Sequence, residues 1–93
     1  MNIVQRVKDA LRISHSRLDD EIAINISVAR AELSRIGVEE AKAESDDVLI
    51  GEAITAYCLY KMAPEENQRY FEAFAYQADC LRKTSKYQAV QHE

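Results

Sequence analysis

The chain has 93 residues, of which 47% are hydrophobic and 30% charged, with only two glycines and one proline. This length allows one small globular domain, and so few turn residues argue against a small β-sandwich or barrel. The net charge of -4 argues against a dedicated nucleic-acid binder, which normally carries a basic excess.

The first predicted helix covers residues 3–13. Ile3, Val7 and Leu11 recur at helical spacing, and the Asn2 side chain can cap the first turn. The first 18 residues are locally positive because they contain Arg6, Lys8, Arg12 and Arg17. Three interpretations of this charge are open: a solvated surface, a contact with a partner protein, or a contact with phosphates.

The second predicted helix covers residues 17–36 and carries two apolar stripes. Ser16 and Asp19 resemble a capping box at its start, and Gly37 suits the left-handed position after its end. The main stripe consists of Ile22, Ile26, Ala29, Leu33 and Ile36. The opposite side carries Ile24, Val28 and Ala31. A helix in a thin bundle needs one apolar stripe, so the second stripe is a candidate subunit interface.

An acidic loop connects the second helix to the third. Its carboxylates are Glu39, Glu40 and Glu44, followed by Asp46 and Asp47 in the first turn of the next helix. We expect Ser45 to be the N-cap of that helix, which covers residues 46–62. Because it is apolar on most of its circumference, it is predicted to be the central helix.

The fourth predicted helix covers residues 64–84, with Pro64 in its first turn. Its back carries Ala73, Tyr76 and Cys80, a second candidate partner contact. The predicted fold is therefore an all-α bundle of four helices, in a single domain over residues 1–85. Residues 86–93 are predicted to form a flexible tail that is disordered or ordered by a partner. The predicted core is Leu11, Ile22, Ile26, Leu33, Leu49, Ala53, Ile54, Tyr57, Phe71 and Phe74.

Residues for chemistry are scarce. His15 and His92 are far apart, and two isolated glycines cannot build a phosphate-binding loop. We therefore expect no enzyme activity, cofactor or metal; an enzyme would have to use a site formed between chains. Cys58 and Cys80 are expected to be buried, reduced thiols, with a disulfide as the alternative.

No membrane association is expected from the sequence. The longest apolar-rich stretch, residues 48–63, carries Glu52 and Lys61 and is shorter than the roughly 20 residues of a membrane span. Residues 1–8 lack the apolar core of a secretory signal, so no leader is expected.

The order of motifs resembles the small head–tail connector proteins of tailed bacteriophages, also called head-completion, adaptor or DNA-packaging proteins. The resembling motifs are Leu11-Arg12-Ile13, a polar break with acids, Ile22-x3-Ile26-x2-Ala29, Ile36-Gly37, and Asp46-x2-Leu49-x3-Ala53-x3-Tyr57-x2-Tyr60 before an aromatic-bearing last helix. Such proteins often have an aromatic residue and a Thr-Gly-Arg turn after the second helix, of which only Gly37 is present here.

The resemblance implies a structural phage or prophage protein rather than an enzyme. Family members form a ring of about twelve copies below the portal protein, extend the DNA channel and offer a surface to a tail-side stopper or completion protein. They are found at the head–tail junction of the virion and in the bacterial host cytoplasm during assembly. DNA would pass through without specific binding, and the acidic loop is our candidate channel lining because carboxylates repel phosphates. The alternative is a small helical adaptor or regulatory module that binds one protein partner as a homodimer.

Overall fold

The computed structural model describes residues 2–63 and 65–88 of the chain. Over these residues the chain forms α1 (Ile3–Leu11), α2 (Asp19–Arg35), α3 (Glu40–Ala43), α4 (Val48–Met62) and α5 (Asn67–Lys83). Helices α1, α2 and α5 all pack against α4. The predicted all-α bundle of four main helices with the most apolar one at its centre is confirmed, and the short α3 is an addition within the predicted acidic loop.

Helix α4 is central because it is buried on nearly every side. Ile50, Ala53 and Ile54 are fully buried. The Tyr57 ring meets Phe74 of α5 edge to face, with the ring centroids 5.0 Å apart. Toward α1, the Arg6 guanidinium and the Ile3 side chain lie over Gly51, at 2.6 and 3.8 Å from where a Cβ atom would stand.

The helix starts agree with the sequence only at α1. There, Asn2 accepts a hydrogen bond from the Gln5 N–H at 3.3 Å, as predicted. The Ser16 capping box is wrong, because α2 begins at Asp19 after a residue that makes no side-chain cap. The Ser45 cap of α4 is also wrong: its hydroxyl donates to the Lys42 carbonyl at 2.6 Å and closes α3 instead.

The end of α2 and the start of α5 were also predicted from the sequence. Gly37 adopts φ +117°, which confirms a positive φ for the residue that ends α2. Helix α5 begins at Asn67 rather than at residue 64, after Glu66 in the left-handed conformation. Pro64, which was predicted to start this helix, lies outside the described residues.

The predicted core is confirmed in most positions and wrong in two. The buried members are Ile22, Ile26, Leu33, Ala53, Ile54, Tyr57 and Phe74, and Leu11 packs half-buried against them. Leu49 is 53% exposed and Phe71 is 43% exposed. Leu49 lies in the first turn of α4, at the rim of the bundle, and Phe71 covers Tyr60 at the bundle edge with a centroid separation of 5.1 Å. Cys80 is exposed, whereas Cys58 is buried as expected.

The segment after α5 differs from the expected frayed tail. Tyr87 is only 4% exposed. Its carbonyl oxygen accepts a hydrogen bond from the Glu39 N–H at 2.7 Å, and Gln88 forms an isolated antiparallel bridge with Val38. The chain beyond residue 85 is thus packed on the bundle at Tyr87; residues 89–93 of the predicted tail lie outside the described part.

Candidate functional site

The outer stripe of α2, defined as Ile24, Val28 and Ala31, is exposed in the single chain. Ile24 is 64% exposed and Val28 39% exposed. At about 3.6 residues per turn they lie on the side of α2 opposite to the buried Ile22 and Ile26. The bundle therefore buries one stripe of α2 and leaves the second uncovered, as the sequence predicted for a candidate interface.

Charged residues flank the outer stripe of α2 at both ends. Asp20 and Glu21 are exposed in the first turn of the helix, where carboxylates complement its dipole. Arg35 is in the last turn and forms an ion pair with Glu32 at 2.8 Å. The start of the helix therefore carries a pair of carboxylates, and its end carries an ion pair of opposite charges.

A second apolar surface is the α4–α5 groove, a concavity of about 290 Å³. It is lined by Leu49, Glu52, Tyr76, Gln77, Cys80, Leu81, Thr84 and Tyr87. The Tyr76 side chain is 72% exposed. A hydrogen bond with the Cys80 thiol, one turn away, raises the pKa of Tyr76. The groove is therefore an exposed concavity with apolar walls and a few polar groups.

The sequence anticipated part of this groove. Of the predicted back-face residues of α5, Tyr76 and Cys80 line it, whereas Ala73 is half-buried against the core. Leu49 and Tyr87 were missed as groove residues. No pattern in the sequence marked Tyr87, and the apolar spacing of α4 gave Leu49 the appearance of a core residue.

The acidic loop is held against the bundle by hydrogen bonds and buried side chains. Arg30 of α2 donates hydrogen bonds to the Ala43 carbonyl at 2.8 Å and the Ser45 carbonyl at 3.0 Å. Val38 and Ala43 are buried beneath it. This arrangement fixes the course of the loop and places its acidic side chains on a defined surface.

The five candidate channel residues have different environments. Glu40, Glu44 and Asp46 are exposed, and Glu39 is half-buried. Asp47 is the N-cap of α4, and it also accepts hydrogen bonds from the Tyr87 hydroxyl at 2.9 and 3.0 Å. Asp47 is therefore a structural carboxylate, and the candidate channel surface is confined to the other four acids.

The basic residues of the first helix form ion pairs within the bundle. Arg6 pairs with Glu52 of α4. Lys8 is buried and pairs with Asp19 at 3.0 Å. Two of the four cations that made this segment positive thus have acidic partners within the bundle, an arrangement that none of the three interpretations of the sequence anticipated.

Other kinds of site have little support in the part of the chain that the structure describes. Within residues 2–63 and 65–88, no three His, Cys, Asp or Glu side chains converge on a potential metal site. No helix of that part has the length and apolarity to cross a bilayer. Burial raises the pKa of the Cys58 thiol to about 12, so this thiol is held protonated at neutral pH. Comparison of the chain with protein-family models, curated proteins and solved structures gives no match.

Proposed function

We propose that this protein is a structural subunit that forms a ring below the portal of a tailed phage or prophage, joins head to tail and extends the DNA channel. The proposal is carried by one observation: a single small chain exposes two different apolar surfaces, the outer stripe of α2 and the α4–α5 groove. A ring is built from head-to-tail contacts, each of which needs two different complementary patches on every subunit.

Both surfaces are free to be occupied at the same time. The groove lies on the flank of α5 that carries Tyr76 and Cys80. The opposite flank of α5, with Phe71 and Ala75, meets the end of α2 around a separate concavity. A neighbour in the groove would therefore leave the outer stripe of α2 of the same subunit open for another neighbour.

The acidic loop supports the channel part of the proposal. Glu40, Glu44 and Asp46 are exposed on a segment anchored by Arg30, so their charges are held at one surface. A channel wall of carboxylates repels DNA phosphates and avoids the counterion release that makes basic grooves bind DNA tightly. DNA would slide past such a wall without specific binding.

The assembly state tests the proposal. Native mass spectrometry of the chain, alone and mixed with the portal protein of its own genome, is expected to give a closed ring or a portal-bound ring of about twelve copies. Co-purification with portal protein covers the case in which the subunit assembles only there. A stable dimer that ignores the portal would overturn the proposal in favour of the adaptor function.

The channel role has its own test. The variant Glu39→Gln, Glu40→Gln, Glu44→Gln, Asp46→Asn retains Asp47, whose carboxylate caps α4. We expect it to fold and assemble but to change DNA retention or packaging. A control variant neutralises two exposed acids elsewhere, Glu65→Gln and Glu72→Gln. Normal phage yield from the loop variant would rule out the channel role.

A further inference from the structure

We propose that the outer stripe of α2 of one copy packs into the α4–α5 groove of the next copy, with α2 running parallel to the α5 that it meets. This inference rests on the proposed ring function and adds which surfaces meet, in which direction and in which register. It follows from the course of the helices within one chain, from the positions of the two surfaces and from the side chains on them.

Helices α2 and α5 run in the same direction within the chain. Gln88 forms a bridge with Val38, and the Glu39 N–H donates to the Tyr87 carbonyl oxygen at 2.7 Å. These contacts place the C-terminal ends of α2 and α5 at the same end of the bundle. A ring of about twelve copies turns a helix by at most about 30° from one copy to the next. An α2–α5 contact that repeats around such a ring is therefore a parallel contact.

The two surfaces lie on opposite sides of the central helix. Helix α2 packs on α4 through its buried stripe, so Ile24 and Val28 face away from α4. The groove opens on the flank of α5 that carries Tyr76, whereas the other flank of α5 meets the end of α2. A head-to-tail contact needs this arrangement, because each subunit then has one neighbour on either side.

The fold already contains one example of this packing. Within each chain, α2 packs against α4, and its end meets α5 around the concavity lined by Glu32 and Phe74. There α2 runs parallel to α5 on one flank of the α4–α5 pair. The neighbour's α2 takes the same direction in the groove on the other flank. Each α4–α5 pair then lies between two α2 helices, one from its own chain and one from the neighbour.

The side chains of the stripe fit the groove in a defined register. Ile24 and Val28 are four residues apart on α2, and Tyr76 and Cys80 are four residues apart on α5. In both helices this step is a rise of about 6 Å along the axis. With Ile24 beside Tyr76, Val28 lies beside Cys80, in the part of the groove that Leu49 also lines. In this register the exposed apolar side chains of the two surfaces cover one another.

The charges balance where this contact begins. Arg17 and Asp20 lie on the α2 side, and Arg69 and Glu72 lie opposite them on the neighbour's α5; all four are exposed. In the parallel register each carboxylate has an opposing cation within about one helical turn across the contact. The beginning of the contact therefore has no unbalanced charge.

The charges also balance where the contact ends. Glu32 of α2 comes opposite Lys83 of the neighbour's α5. Arg35, in the last turn of α2, comes to the end of the groove at Tyr87, whose hydroxyl is bonded to the Asp47 carboxylate at 2.9 Å. Opposite charges thus flank the apolar centre of the contact at both ends, which favours this register over one shifted along the groove.

Disulfide trapping tests the direction and the register. Val28→Cys places a thiol opposite the native, exposed Cys80 of the next copy. Each chain then offers one thiol to each neighbour, so diamide, a two-electron thiol oxidant, should give a ladder of dimers, trimers and larger species. Ile24→Cys is the matched control. In the parallel register it lies about one turn from Cys80 and should give little product, whereas an antiparallel contact over the same residues would reverse this order.

The trapping is carried out on the chain alone at high concentration and on the chain bound to portal protein. Adding Cys80→Ala to Val28→Cys should abolish the ladder. Dimers that persist without Cys80 would come from two thiols at position 28 and would refute the contact in favour of a symmetric α2 pair. A ladder in neither sample, or a stronger ladder from Ile24→Cys, overturns the inference.

Mixing of two variants tests the pairing of the surfaces. Val28→Asp alters the stripe and keeps the groove, and Tyr76→Asp does the reverse. Each is expected to weaken self-association by at least about 30-fold. Their 1:1 mixture should form a two-chain species, because one intact contact remains between unlike variants. Ala23→Asp and Ala75→Asp, at exposed positions outside the two surfaces, should associate like the wild type.

The outcomes separate this contact from the proposed function. Failure of the trapping and of the mixing in a chain that still forms a portal-bound ring would refute the contact and leave the ring function standing. A dimer that forms without portal protein, and that does not bind it, would refute both.

Discussion

The hydrogen bonds between Tyr87 and Asp47 hold the end of the described chain against the start of α4. The substitution Tyr87→Phe tests how much they contribute to the free energy of unfolding. The substitution keeps the buried ring and removes only the hydroxyl that donates to the two Asp47 oxygens at 2.9 and 3.0 Å. A hydrogen bond to a charged group is worth about 1.5–3 kcal/mol, and Asp47 is half-exposed, so water recovers part of that. We expect a loss of about 1 kcal/mol in the free energy of unfolding, or about 4–8 °C in Tm.

The pH dependence of this loss gives a second check. Desolvation raises the pKa of Asp47, but hydrogen bonds from Tyr87 and from the Leu49 and Ile50 N–H groups outweigh it, so the pKa lies below its ordinary value of 3.8. A carboxylate with a depressed pKa contributes its stability above the ordinary pKa, and this contribution is lost as the pH falls through the folded-state pKa. The difference between wild type and Tyr87→Phe is therefore expected at pH 7 and should shrink in acid below pH 3.8.

At the alkaline end the sign is reversed. Burial and the neighbouring Asp47 raise the pKa of Tyr87 above its ordinary value of 10.0. A raised pKa means that the protonated hydroxyl stabilises the fold below the ordinary pKa. This contribution is lost as the pH rises through the folded-state pKa. The Tyr87–Asp47 hydrogen bonds should therefore stabilise the fold over the whole neutral range of pH and weaken only in strong acid and strong alkali.

The assay is urea unfolding followed by circular dichroism, in a double-mutant cycle with Asp47→Ser. Serine preserves an N-cap for α4 but is too short to reach Tyr87, so Tyr87→Phe should have almost no effect in that background. Tyr76→Phe, at an exposed tyrosine, is the matched control and should change stability by less than about 0.5 kcal/mol. An equal loss in both backgrounds, or no loss at pH 7, would refute the role of the hydroxyl.

Three other predictions concern the core, the acidic loop and the thiols. Ile54→Asp should unfold the chain because it buries an unpaired carboxylate. Val28→Asp, at an exposed position, should leave the circular dichroism spectrum unchanged and affect association only. Unfolding by Val28→Asp would contradict the exposure of Val28. Arg30→Met should cost about 1–2 kcal/mol and speed amide exchange in residues 38–47, since two carbonyls lose their donor; unchanged exchange there would refute the anchoring role. A thiol reagent at pH 8 should modify Cys80 at once and Cys58 only on unfolding, and prompt double labelling would count against the burial of Cys58.

The four main helices were predictable because the signals that define them are local. The stripe through Ile22, Ile26 and Leu33 has helical spacing, and Gly37 marks the end of α2 through its own backbone preference. The central place of α4 also followed from the sequence, since a helix that is apolar on most sides must be surrounded by others. The second stripe of α2 was visible for the same reason, as an excess over what a thin bundle can bury.

What only the tertiary structure decided depends on contacts between residues far apart in the chain. The Tyr87 hydroxyl meets Asp47 across 40 positions, and nothing near Tyr87 in the sequence announces that contact. The same periodicity that places Ile54 in the core also suggested Leu49, because an apolar helix does not itself specify which part of its circumference its neighbours leave uncovered. The groove exists only where α4, α5 and the returning chain meet. Local patterning therefore set the helices and their buried faces, and the packing of those helices set which apolar residues stayed exposed.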